Sequence, residues 1–174
     1  MNQTSTVNKR AQSLVTELDL EARATRRVLE RVPDSKLSWK PHPKSSSLGQ
    51  LALHVANLPG GIAHVLSGDS FDTSGFRQEE PANAAQLLTA HDKAVAAARE
   101  FLSELSPERA DAQWRLLRGG REIVAAPRGA MIRTLMLNHW YHHRGQLTVY
   151  LRLLDVPVPS VYGPTADENP FVSG

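Results

Sequence analysis

The chain has 174 residues, 41% hydrophobic and 22% charged, which suits one globular domain over 1–174 with a continuous core. It contains no cysteine, so disulfide staples, thiolate ligands and a cysteine nucleophile are excluded, and any bound ion must rest on nitrogen and oxygen. A net charge of +2 with a pI near 9.2 reflects a small arginine excess rather than a phosphate-neutralising block, so no nucleic-acid partner is expected.

The polar opening from Met1 to Arg10 has no apolar signal-peptide core, and every apolar stretch is broken by charges within two turns. Neither a leader nor a membrane partner is expected, and with cysteine absent the expected localisation is cytoplasmic. Residues 6–32 place Val7, Ala11, Leu14, Leu18, Ala22, Val28, Leu29 and Val32 at helical spacing, which predicts a long amphipathic helix ended by Pro33. The proline-rich stretch 33–46, pinned by Trp39, predicts an irregular connection long enough to cover a site.

Ser47 followed three residues later by Gln50 is a capping-box signature, so a second helix is expected from Leu48. Its apolar stripe is Leu51, Val55, Leu58, Ile62 and Leu66, and His54 falls on that inward side. Pro59 with Gly60 and Gly61 predicts an interruption or kink one turn beyond His54, and 67–82 a loop. Asn83 and Gln86 repeat the capping signal for a third helix with Leu87, His91, Ala94, Ala98, Phe101 and Leu105 inward, stopping near Pro107. Gly119-Gly120 within 114–126 predicts a short hairpin or an extended excursion. After Pro127 a fourth helix is expected to reach Leu154, with Met131, Leu135, His139, His143, Tyr150 and Leu154 near one stripe, followed by an irregular tail. Four amphipathic helices without a strong strand pattern predict an all-α four-helix bundle.

His139 and His143 are four residues apart. On a helix that spacing stacks the two side chains with Cβ atoms roughly 5 to 6 Å apart, so both imidazoles can reach one ion. His142, at i+3, shares the face with His139, offset by about 60° against about 40° for His143, so periodicity only mildly prefers His143. A single histidine on an apolar face is more often a hydrogen-bonded core residue than a ligand; that reading is taken for His64 and His91, with His91 as the spare ligand, and His42 is expected in solvent. Three imidazoles in one core without partners would cost about 1 to 3 kcal/mol each, which favours an ion shared by His54, His139 and His143. Three nitrogen ligands with a fourth position open describe a catalytic rather than a closed site, with zinc as the default and nickel or iron(II) also acceptable. The spacing matches that of H-E-x-x-H proteases, but Trp140 stands where their glutamate base would be. Gly145 inside the helix predicts close packing of a backbone or ligand, and Arg144 is either a solvated residue or an anion clamp.

The run His139-Trp-Tyr-His-His143-Arg-Gly-Gln146, continued through Tyr150 to Pro159, resembles the DinB/YfiT-like family of metal-dependent enzymes. Trp39-Lys-Pro41, the helix opening from Ser47 to His54, and Tyr162-Gly-Pro164 support that resemblance. It implies an up-down-down-up four-helix bundle, often a homodimer, whose divalent metal, zinc or nickel, is held by His54, His139 and His143. It also implies S-transfer from a low-molecular-weight thiol to an electrophile as the first function to consider. In that reading Arg144 or Gln146 orients the thiol and Trp39 and Tyr150 wall the electrophile's pocket. Two alternatives remain: a metal-dependent hydrolase of an ester or amide, and a non-catalytic metal-binding stress-response protein.

Overall fold

The structure is a computed structural model that describes residues 9–75 and 77–172. Helix α1 runs over Lys9–Leu29, so the first residues of the expected helix, 6–8, lie outside the described part. Helix α2 spans Leu48–Ser67 and opens on the expected capping box. The Ser47 hydroxyl accepts from the Gln50 N–H at 3.0 Å, and the Gln50 side-chain oxygen accepts from the Ser47 N–H at 3.0 Å. Pro59 does not end this helix, which continues through Gly60 and Gly61.

Gly60 is where α2 meets α3 (Ala84–Ser103): a Cβ built on it would lie 2.6 Å from the Ala94 Cα. The glycine therefore allows a close approach of two backbones instead of marking a break. The Asn83 side chain caps α3 by accepting from the Gln86 N–H. A short helix α4 (Pro107–Asp111) follows.

The all-α expectation needs correction. A three-stranded sheet in the order β1-β2-β3 is formed by Ser70–Asp72, Gln113–Arg118 and Arg121–Pro127. Strands β2 and β3 are the antiparallel hairpin allowed for at Gly119-Gly120, whose φ values of 58° and 76° suit the two central positions of a tight hairpin turn. Strand β1 lies in the stretch expected to be a loop and pairs parallel with β2, Phe71 opposite Leu116.

The last helical segment is continuous but not uniform. Helix α5 (Arg128–Met131) passes into a π-helical stretch, Ile132–Asn138, and then into α6, His139–Leu153. A π-helical stretch is rare, and here it delivers the chain to His139. The core is one apolar cluster that includes Leu18, Val55, Leu87, Trp114, Ile132, Trp140 and Leu147, with α2 packed against both α3 and α6. No helix among the described residues is long and apolar enough to cross a membrane.

Candidate metal centre

His54 from α2 and His139 and His143 from α6 meet where the two helices pack. The Nε2 atoms of His139 and His143 are 2.8 Å apart, and those of His54 and His139 are 3.5 Å apart. Two nitrogens each bound at roughly 2.1 Å to one ion, at right-angle to tetrahedral geometry, sit roughly 3.0 to 3.4 Å apart, so the observed spacings bracket what a shared ion requires. Burial first, then the neighbouring imidazoles, push His54 down to about 4. Burial also lowers His139 and His143. All three are thus held neutral at pH 7, the form in which imidazole binds a metal.

Gln146 sets the orientation of one imidazole of the cluster. Its Oε1 lies 2.7 Å from His143 Nδ1, so a neutral His143 donates from Nδ1 and keeps Nε2 free to ligate. The spacing His143 to Gln146, one helical turn, is the sequence signal for this contact. Trp140 explains why no glutamate follows the first histidine of the helix: its ring is fully buried and its Nε1–H donates to the Val55 carbonyl at 2.9 Å.

The three imidazoles open into a cavity of about 1100 Å³. Leu51, Ile62, Val65, Phe71, Leu135 and Val149 supply apolar wall, and Ser45, Ser46, Thr73, Ser74 and Gln78 supply hydroxyl and amide groups. Gln146 and Tyr150 line it. Trp39 does not line the cavity; it stacks edge-on against the Tyr150 ring at 5.7 Å and so backs that wall. The sheet residues Phe71, Leu116 and Arg118 also reach the cavity, a contribution that sequence reasoning missed because β1 carries no alternating pattern.

Other expectations change. Arg144 is not brought to the cavity: it is 2% exposed, pairs with Glu21 at 2.6 Å, and donates to the Thr25 hydroxyl at 3.0 Å and to the Tyr162 hydroxyl. It is neither solvated nor available to clamp a ligand. Its place on the stripe Trp140, Arg144, Leu147, Leu151, all buried, is the signal that could have shown this. Gly145 is not a close-packing position: among the described residues beyond its own helix turn, a Cβ built there would meet no atom within 4 Å. His91 lies outside the triad, buried beside Trp140, with Nδ1 at 3.3 Å from Asp92, and the exposed His42, His64 and His142 also lie outside it.

The chain belongs to the DinB family, whose model matches residues 1–169. A curated relative, the uncharacterized protein YrdA of Bacillus subtilis, is 27% identical over 153 residues, with 86% of each chain covered. Among solved structures, a DinB-like protein from Bacillus cereus superposes with a TM-score of 0.65 at 26% identity, covering 87% of this chain and 97% of that one. A DinB-family member from Exiguobacterium sibiricum shares the fold, with a TM-score of 0.62 at 19% identity over 92% and 98% of the two chains.

Proposed function

We propose that the protein is a metal-dependent S-transferase that takes a low-molecular-weight thiol and an electrophile into the cavity beside His54, His139 and His143. The observation that carries this reading is the composition of the site. Three neutral imidazoles converge on an open cavity, and no aspartate or glutamate is among the described residues that line it. A divalent ion held there would lower the pKa of a thiol in its open position, supplying a thiolate near neutral pH. The nitrogen donor set fits zinc, and accepts nickel or iron(II).

Each residue's task follows from its place. Gln146 holds the His143 tautomer, Tyr150 backed by Trp39 forms one wall, and the apolar side chains exclude water from the reacting atoms. A hydrolase using a metal-activated water ranks second, because the described residues of the cavity wall offer no carboxylate to take the water's proton. The test is to load the purified protein with zinc or nickel and offer it a panel of thiols with a model electrophile. Conjugation that requires both metal and thiol supports the reading; ester or amide turnover without thiol replaces it with the hydrolase, and a bound ion with neither activity leaves a metal-binding module.

A further inference from the structure

One face of β2 runs from the core to the mouth of the histidine cavity. Residues two apart on a strand share a face, and the register shift in the hairpin puts the extra residue, Ile123, on β3, so β2 keeps its alternation. Along that face Trp114 is fully buried, Leu116 half-buried against the cavity, and Arg118 exposed at its rim.

Arg118 differs in character from every other cavity residue. It is the one side chain of fixed charge among the described residues lining the cavity, and no carboxylate accompanies it. It forms no ion pair among the described residues. The acid of the adjoining strand, Asp72, is engaged elsewhere: Oδ1 accepts from the Ser74 N–H at 2.9 Å and the Gly119 N–H at 3.1 Å, and Oδ2 from the Gly120 N–H at 2.7 Å. Those bonds pin the turn that follows Arg118, so its backbone is held while its guanidinium has no ion-pair partner among the described residues.

Charge makes the same point. An ion held by three neutral imidazoles would keep its full positive charge, and Arg118 would add to it, with no acid among the described lining residues to offset either. A cavity of one sign with apolar walls concentrates ligands of the opposite sign. The guanidinium fork matches two oxygens of one oxyanion better than it matches any neutral group.

We propose that Arg118 forms an oxyanion subsite of this cavity, and that the natural substrate is an amphipathic small molecule with a carboxylate or phosphate at one end. Its apolar body lies along Phe71, Leu116 and Val65, and its reactive end points toward the histidines. The inference rests on the reading of this cavity as the reaction site, but not on the thiol.

The test is calorimetric titration with alkanoates, alkyl phosphates and alkanols of matched chain length. It compares the wild type with Arg118→Gln and Arg118→Lys. The metal-free protein is decisive, because a carboxylate can also bind an ion directly. The expected result is that at least one anion binds the wild type about tenfold or more tightly than the alkanol. That preference should collapse in Arg118→Gln and partly survive in Arg118→Lys, and comparing alkanoate with alkyl phosphate distinguishes the two oxyanions. Equal binding of anions and alkanol, no binding of any of them, or a preference undiminished in Arg118→Gln overturns the proposal. Failure of the thiol reading registers separately: terminal thiols would then bind the zinc-loaded protein no better than methyl-ended ligands, while the alkanoate-to-alkanol ratio remains readable.

Discussion

The indole N–H of Trp140 donates to the carbonyl of Val55, and that carbonyl lacks its usual helical donor because the residue four positions on is Pro59. Trp140 directly follows His139, and Val55 directly follows His54. The one hydrogen bond thus fixes the register between the two helices that carry the three clustered histidines. Trp140→Phe removes the donor and leaves a buried carbonyl unsatisfied, at a cost of about 1 to 3 kcal/mol in denaturant unfolding. It should also weaken metal binding by roughly tenfold, read by competition with a chelating dye. Adding Pro59→Ala restores an N–H to Val55, so the double variant should regain stability without regaining affinity. Recovery of both would mean that Trp140 contributes to the helix alone.

Gln146 is expected to act through His143. Gln146→Leu removes the acceptor for Nδ1–H and should lower metal affinity by about 10- to 100-fold. Gln146→Glu supplies a stronger acceptor and should hold affinity at or above that of the wild type. The d–d absorption of the cobalt-substituted protein checks both, since a misoriented His143 changes the ligand field and a mere loss of stability does not.

Gly60 and Gly61 are neighbours with opposite surroundings. At Gly60 an added methyl meets the Ala94 backbone at 2.6 Å, whereas at Gly61 it meets nothing within 4 Å. Gly60→Ala should destabilise by about 1 to 3 kcal/mol through overpacking. Gly61→Ala should be neutral or stabilising by up to about 1 kcal/mol from helix propensity. Thermal unfolding of the pair gives the comparison directly.

These glycines also mark where the sequence stops being legible. The capping pairs Ser47/Gln50 and Asn83/Gln86 could be read because each is a contact within one turn of chain. The clustering of His54, His139 and His143 could be read because spacing and inward placement are helix properties. In the sequence Gly60 reads as part of a break and Gly145 as a contact, because what approaches a glycine is decided by another element. Strand β1 is illegible for the same reason: three residues carry no period, and their partner β2 lies more than forty positions away. Arg144 misled through its neighbours, since adjacency to His143 in the chain is a turn of about 100° around the helix.

Arg144 is therefore expected to matter for folding and not for chemistry. Arg144→Met leaves the Glu21 carboxylate, whose side chain is only 14% exposed, without its cation and with the Tyr162 hydroxyl as donor, and breaks the Arg144 contacts to Thr25 and Tyr162. The expected loss is about 3 to 5 kcal/mol. The fraction that remains folded at low temperature should bind metal with wild-type affinity. A loss of affinity in that fraction would return Arg144 to the site.

Asp72 gives the hairpin a pH dependence of known sign. The N–H groups of Gly120, Ser74 and Gly119 hold its carboxyl well below the usual aspartate range. A carboxyl whose pKa is lower in the folded than in the unfolded chain stabilises the fold above its ordinary value near ~4, and that contribution disappears as pH falls toward the lower folded value. The Gly119 and Gly120 amides should therefore be protected from hydrogen exchange at neutral pH, and progressively exposed on acidification below about pH 4 relative to amides of α3. In Asp72→Asn the same amides should exchange faster at neutral pH and lose the acid-dependent step. Because this turn also carries Arg118, the variant should weaken the anion preference of the cavity without removing it. A wild-type alkanoate-to-alkanol ratio in Asp72→Asn would show that the pinned turn is not needed to place the guanidinium.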